Sequence, residues 1–189
     1  MGIFRFALVV AGLLASSCLR AQDAFAWKFG MTPAEVASVT EYAPYKTFSN
    51  GDLETYEATF AGKKQNFQFF FDDNQPRKLR RIGIYLYEGQ DIAAAAGEWS
   101  KLHGTLAGLF GEVGTPRNAL DATASDAGES GFRNTAIRDV QSSGKTQMAP
   151  IKQRDDAFVF ANFRSVDVQG ETYYLVILYI DPPDPATEG

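Results

Sequence analysis

The chain contains one cysteine, Cys18, and one histidine, His103, among its 189 residues. Disulfide scaffolds need cysteine pairs and structural zinc sites are built from cysteine and histidine, so both are excluded. A serine or cysteine nucleophile needs a nearby base, and His103 is the one histidine that could serve. It lies beside Trp99 and Leu102 at the edge of a helical apolar stripe, which favours a packed structural side chain. We therefore expect no cofactor, no metal site and no enzymatic activity.

Two short motifs resemble catalytic loops, and each lacks a required residue. Ser143-Gly144-Lys145-Thr146 is similar to the end of a phosphate-binding loop, but Asp139 stands where the first glycine belongs. Gly128-Glu129-Ser130-Gly131 suggests a nucleophile elbow, but the final glycine is replaced by Phe132. Neither motif predicts an active site.

No apolar run is long enough to cross a membrane. The longest one after the N-terminal segment, Tyr173–Ile180, has eight residues, whereas a spanning helix needs about twenty. The N-terminus has a basic residue, Arg5, then an apolar run at 6–15 and small residues after it. This pattern predicts a secretory signal peptide over 1–21, a periplasmic or secreted protein and no transmembrane segment.

Two processing routes remain open for this signal. Ordinary cleavage after Ala21 or Ala26 would start the mature chain at Gln22 or Trp27, and we favour this route. The alternative is lipoprotein processing at Cys18, whose preceding residues form a loose lipobox without leucine at the third position before the cysteine. That route would give a lipid-anchored outer-membrane protein. The folded domain contains no thiol in either case.

Positive charge is also scarce. The net charge is −5, and it becomes −7 without residues 1–21, which hold two arginines and no acids. An acidic chain is poorly suited to phosphate backbones, so we expect no nucleic-acid partner. The basic cluster at 77–81 is interpreted as a strand start balanced by the acids at 72–73, with an anionic lipid headgroup as the alternative. The acid pairs at 72–73 and 155–156 lack calcium-loop spacing and are typical of turns.

Two helices are predicted in the first part of the chain. Thr32, Pro33 and Glu35 form a capping box with proline at the first helical position, and Pro44 ends this short helix. The second helix runs from Asp91 to Phe110. Its apolar stripe consists of Ile92, Ala95, Ala96, Trp99, Leu102, Leu106, Leu109 and Phe110.

Alternating apolar residues predict an antiparallel meander between these helices. A first strand covers 53–60, with Tyr56, Ala58 and Phe60 on one face. A second covers 65–71, with Phe67, Phe69 and Phe71 on the face toward the long helix. Ile82, Ile84 and Leu86 mark a third strand.

The second half of the chain is predicted to be mainly strand and loop. We expect a loop at 117–131, a weaker strand at 132–140 and a second loop at 141–156. Strands at 157–168 and 172–180 form a hairpin about Gln169-Gly170, and the last strand is apolar on both faces, as in a central strand.

These elements predict one α+β domain. We expect an antiparallel β-sheet with a short N-terminal helix and one long helix packed on one face. The domain spans 27–180, after the signal peptide at 1–21 and before an acidic flexible tail at 181–189.

The start of the predicted mature chain resembles a known class of proteins. Trp27–Val36 contains Gly-Met-Thr-Pro-Ala-Glu-Val, which is similar to the Gly-Met-Thr-x-x-x-Val start of small bacterial envelope proteins such as the SmpA/OmlA outer-membrane-assembly lipoproteins and the modules of the beta-lactamase inhibitory proteins. The resemblance covers about residues 27–60. It implies a short helix packed on an antiparallel meander, and a protein that binds other proteins without catalysis.

A candidate binding surface follows from the alternation of the predicted strands. If Ile84 and Leu86 face the long helix, then Phe70, Tyr85 and Tyr87 lie on the opposite face, beside Arg81. Aromatic residues and arginine are enriched in recognition surfaces. We expect this face to bind another envelope protein, with two alternatives: the C-terminal strands cover it as a second core layer, or the protein carries a small apolar ligand.

Overall fold

The computed structural model describes residues 26–115 and 128–183. The predicted signal peptide, Cys18 and most of the predicted tail lie outside these residues. The elements in chain order are α1 (Pro33–Ala37), a 3-10 helix (Thr40–Tyr42), β1 (Lys46–Thr47), β2 (Leu53–Thr55), β3 (Thr59–Phe60), β4 (Lys63–Lys64), β5 (Asn66–Phe71), β6 (Leu79–Gly89), α2 (Ile92–Phe110), β7 (Val113–Gly114), α3 (Gly128–Ser143), β8 (Lys145–Pro150), β9 (Phe158–Val168) and β10 (Glu171–Asp181).

An eight-stranded antiparallel sheet organises the fold. Its strand order is β1-β2-β5-β6-β10-β9-β8-β7, and β3 and β4 form a separate two-stranded hairpin. The predicted hairpin about Gln169-Gly170 is confirmed, because both residues have the positive φ, 53° and 86°, that a two-residue turn requires. The predicted central position of the last strand is also confirmed, since β10 lies between β6 and β9. The predicted α+β class is therefore correct.

The long helix α2 packs on one face of the sheet. Asp91 caps it, because its carboxylate accepts hydrogen bonds from the backbone nitrogens of Ala93 and Ala94. Trp99, in the middle of the predicted stripe, is 1% exposed and contacts Phe163 of β9. No helix within the described residues is long and apolar enough to span a bilayer.

A second helix on this face was missed by the sequence analysis. The predicted strand at 132–140 is wrong, because α3 covers it, and so is the end of the predicted loop at 128–131; residues 117–127 of that loop lie outside the described residues. Phe132, Ala136 and Val140 are spaced four residues apart, as on one side of a helix, and all three pack against the main apolar cluster. The predicted loop at 141–156 is partly wrong, because β8 lies within it and buries alternate residues, Thr146, Met148 and Pro150.

The first predicted strand, 53–60, is divided in two. β2 ends at Thr55, whose side-chain hydroxyl donates to the backbone carbonyl of Tyr42. The chain then leaves the sheet. Tyr56 is 48% exposed while Ala58 is 1% exposed, so the predicted common face of these residues is wrong.

The N-terminal segment closes one end of the sheet. The predicted capping box of Thr32 and Glu35 is confirmed, although α1 ends at Ala37, before Pro44. Trp27 is 2% exposed, and its ring centroid lies 4.7 Å from those of Tyr42 and Phe69. The folded core therefore includes the first residues of the described chain.

Candidate functional site

The two faces of the sheet differ in what packs on them. α2 and α3 contribute to the large apolar cluster on one face. The cluster on the other face is built entirely from strand residues, so no helix of the described chain packs on it. We call this second surface the open face; its cluster comprises Phe70, Tyr85, Phe160, Val166, Leu175, Ile177 and Tyr179. The expected alternative of a covering second layer is wrong, because β9 and β10 belong to the same sheet.

Three of the four predicted site residues lie on the open face. Phe70 of β5 is directly opposite Arg81 of β6, and Tyr85 is opposite Ile177 of β10. Phe70 and Tyr85 belong to the open-face cluster, and the Arg81 guanidinium lies over its Tyr179 ring. The sequence pattern therefore placed these three residues on the same face correctly.

Tyr87 is the exception, and its predicted place on this face is wrong. β6 has one extra residue, Leu86, because Tyr85 and Tyr87 oppose the consecutive residues Ile177 and Val176 of β10. This β-bulge interrupts the alternation. Tyr87 consequently packs with the cluster on the helix face, and its hydroxyl accepts a hydrogen bond from the backbone nitrogen of Asp91.

A glycine makes room for the aromatic rings of the open face. Gly83 lies opposite Tyr179 in the sheet. A Cβ atom at Gly83 would be 3.0 Å from Cε2 of Phe70 and 3.4 Å from Cε1 of Tyr179. The Phe70 ring can lie against the backbone only because residue 83 has no side chain.

Arg81 is held by an acid and two aromatic rings. Its Nε and one terminal nitrogen donate to the two carboxylate oxygens of Asp181 at 2.7 and 2.6 Å. The guanidinium carbon lies 5.4 Å from the ring centroid of Phe160 and 5.0 Å from that of Tyr179. The bidentate hydrogen bond to Asp181 raises the pKa of Arg81, so this pair is charged and locally neutral.

Burial raises the pKa of both phenols of the open face. Desolvation raises the pKa of Tyr85 to about 12, and the nearby Tyr179 acts in the same direction. Burial also raises the pKa of Tyr179. The positive charge of Arg164, which lies opposite Leu175 in the sheet, offsets part of this rise in both pKa values.

Sequence reasoning did not select Phe160, Tyr179 and Arg164. A two-residue turn at Gln169-Gly170 fixes the register of β9 against β10, and that register places Phe160 opposite Tyr179. This pair could have been found from the sequence. Its neighbours on β6 could not, because the sequence does not specify how β10 pairs with β6.

A recess of about 510 Å³ extends the open face toward β7. It is a depression open to solvent rather than an enclosed cavity. Phe158 and Phe160 form one wall, and the ring centroids of these residues are 5.6 Å apart. The remaining lining residues are Gly114, Thr115, Gln147, Met148 and Ala149.

The basic cluster at 77–81 serves mainly internal contacts. Arg77 donates from Nε to the backbone carbonyl of Asp72 at 2.8 Å and forms an ion pair of 3.1 Å with Asp52. Asp52 is 7% exposed and also accepts from the backbone nitrogen of Phe71 at 3.1 Å. Arg77 therefore ties the turn after β5 to the start of β2.

The two motifs that resemble catalytic loops, at 143–146 and 128–131, lie mainly in helix and strand. Lys145 and Thr146 belong to β8, and residues 128–131 form the first turn of α3. His103 of α2 packs against Phe132 of α3, and the ring centroids of the two residues are 4.6 Å apart. Over the described ranges, no group of three or more histidine, cysteine, aspartate or glutamate side chains could hold a metal ion.

No family model, curated protein or solved structure matches the chain. The resemblance of residues 27–36 to small envelope modules therefore stays a prediction.

Proposed function

We propose that this protein is a non-enzymatic binding module of the cell envelope and that its open face contacts another envelope protein. The observation that carries the proposal is the grouping of four aromatic rings and two arginines on a sheet face that no described helix covers. Aromatic side chains and arginine supply most of the binding energy in protein interfaces. The six residues are Phe70, Arg81, Tyr85, Phe160, Arg164 and Tyr179.

The open face has the layered composition of a recognition surface. Ile177 at its centre is 0% exposed, whereas Phe158 at its edge is 37% exposed. An apolar centre surrounded by polar groups such as the Arg81–Asp181 pair is typical of non-obligate interfaces.

The proposed location depends on the N-terminal segment. A basic and apolar leader supports export, and Trp27 is buried, so cleavage before Gln22 or before Trp27 leaves the core intact. Mass spectrometry of the protein from its native cells should give a chain starting at Gln22 or Trp27 without an acyl group. A diacylated chain starting at Cys18 would instead establish the lipoprotein route.

Site-specific photo-crosslinking in the native cells tests the proposed contact surface. A benzoyl-phenylalanine residue is placed at Phe158 or Gln147 on the open face, and at Lys101 or Leu109 of α2 as matched controls. We expect one protein, identified by mass spectrometry, to crosslink from the open-face positions and from neither control.

Reconstitution then decides whether the contact is specific. The identified protein, purified, should bind the wild-type chain and lose at least about tenfold in affinity with Phe160→Ala, since central aromatic truncations typically cost at least about 2 kcal/mol. Crosslinks confined to the α2 positions, or none from any position, would contradict the proposal.

A small-ligand carrier is the second candidate, and the recess favours it. Its volume of about 510 Å³ lies within the range of ligand pockets. Native mass spectrometry of the protein taken directly from its cells should show a bound lipid or apolar metabolite if this function is correct. If Phe160→Ala loses the bound ligand, the ligand binds in the recess. A spectrum without any ligand would exclude the carrier function and leave protein binding as the remaining candidate.

A further inference from the structure

The β8–β9 side of the open face carries two cations that form no ion pair within the described residues, and the acid in the same row, Glu88 of β6, is two strands from Arg164. Arg164 of β9 and Lys145 of β8 are cross-strand neighbours. Neither side chain forms an ion pair or hydrogen bond with any described residue. The other cations of this face differ, because Arg81 is paired with Asp181 and Lys46 with Glu54.

Arg164 does not simply extend into solvent. Its Nε atom is buried and has no hydrogen-bond partner within the described residues. Arg164 lies opposite Leu175 in the β9–β10 register, on the same face as the aromatic cluster, and its charge acts on the phenols of Tyr85 and Tyr179. A buried donor without an acceptor is unfavourable, and no described residue holds this side chain as a partner of its own. The residue is only half-buried, so part of it stays accessible to an incoming acceptor. A carboxylate fits best, because it matches the planar guanidinium with two parallel hydrogen bonds.

An apolar anchor point lies at a fixed distance from this charge. Phe160, in the wall of the recess, is four residues from Arg164 on the same strand, and both side chains are on the open face. Four residues of β-strand span about 13 Å. A ligand that uses both features must present an apolar group and a carboxylate about 13 Å apart.

We propose that the partner contributes an acidic segment of polypeptide, with an apolar side chain in the recess beside Phe160 and an Asp or Glu carboxylate on Arg164 and Lys145. This inference rests on the proposed protein-binding function. The charge of the whole chain is −5, so an acidic partner is attracted only where cations are grouped, as Arg164 and Lys145 are here. In an extended segment the two side chains are four residues apart, and in a helical segment they are eight or nine apart.

Selection from a displayed library of random twelve-residue peptides tests the proposal. The purified protein should enrich peptides with an apolar residue and an acid at one of these spacings. An enriched peptide should bind at least about tenfold more tightly than its twin with Gln or Asn in place of the acid, as expected for hydrogen bonds to a charged group.

Two charge variants and one control locate the contact. Lys145→Gln and Arg164→Gln should each lower the affinity for the acidic peptide and reduce the ratio of that affinity to the affinity for the amide twin. Lys101→Gln on α2 should change neither quantity. Lys145 is exposed, so its variant tests the site even if Arg164→Gln impairs folding. The affinity of the wild-type protein should fall as salt is raised, and that of Arg164→Gln should fall less.

Other occupants of the site give different results. The library could instead enrich peptides without an acid whose binding is lost in Phe160→Ala. That result would overturn the inference of an acidic segment but would still support protein binding by the open face. Enrichment of no peptide would also overturn it. Binding to phosphatidylglycerol vesicles but not phosphatidylcholine vesicles, abolished by Lys145→Gln, with no acidic peptide selected, would assign the charge to a lipid surface instead.

Discussion

Tyr85 and Tyr87 are separated by one residue on β6, and the bulge at Leu86 places them on opposite faces of the sheet. Without the bulge, both phenols would share the open face. With it, Tyr85 belongs to the open-face cluster and Tyr87 joins β6 to the start of α2 through the backbone nitrogen of Asp91. Substitutions at these two tyrosines should therefore affect different properties.

Tyr87→Ala should lower the free energy of unfolding by about 2 kcal/mol, because it removes a half-buried ring from the helix face. Tyr87→Phe keeps the ring and loses only the hydroxyl acceptor, so a loss of about 1 kcal/mol is expected. Urea denaturation measures both. Partner or peptide affinity should stay within twofold in Tyr87→Phe, and a large loss of affinity would place Tyr87 in the binding surface after all.

The sequence predicted the faces of β5 and β6 correctly except where β6 is irregular. Alternation correctly placed Phe67 and Phe69 on the helix face and Phe70 and Tyr85 on the other. Alternation cannot reveal an extra residue, because a bulge depends on the partner strand. β6 has a second irregularity near Arg80, where Phe70 opposes Arg81 and Phe71 opposes Leu79.

α3 shows a different limit. Phe132, Ala136 and Val140 have helical spacing, but the polar residues between them weaken the apolar signal, and we interpreted the segment as a strand. The helix is stabilised mainly by packing on α2 and the sheet, a tertiary effect that local pattern does not contain. The capped and strongly amphipathic α2, in contrast, was predicted to within one residue.

Trp99→Ala should lower the free energy of unfolding by about 3 to 5 kcal/mol, because the side chain is 1% exposed and its deletion leaves a cavity between α2 and β9. Leu109→Ala is the matched control on the same helix. Leu109 is 61% exposed, so a loss below about 0.5 kcal/mol is expected. Equal losses in the two variants would show that α2 does not pack on the sheet as described.

Tyr85 should make stability depend on pH in the alkaline range. Burial raises its pKa from 10.0 to about 12, so the folded protein retains the proton that the unfolded chain has released. Its contribution is fully present below pH 10 and is lost as the pH rises toward 12. Urea unfolding across this range should show a shallower decline in Tyr85→Phe than in the wild-type protein. Identical declines would mean that Tyr85 is solvated.

His103→Ala should leave binding by the open face unchanged. His103 lies on the other side of the sheet, against Phe132 between α2 and α3. The variant should lose some stability because this ring contact is removed, and its partner or peptide affinity should equal that of the wild-type protein. Loss of a measurable activity with the fold retained would instead revive an enzymatic role for His103.

Arg81 and Asp181 should be energetically coupled across 100 positions of sequence, because their bidentate pair joins β6 to the end of β10. Both side chains are partly solvated, so we expect a coupling of about 1 kcal/mol in a double-mutant cycle of Arg81→Gln and Asp181→Asn. The coupling should decrease at high salt.

Asp181→Asn also leaves the Arg81 guanidinium without its counterion on the open face. Affinity for an acidic peptide should therefore rise in Asp181→Asn and fall again in the double variant. An unchanged affinity would show that the acidic ligand does not reach Arg81 and is confined to the Arg164 side.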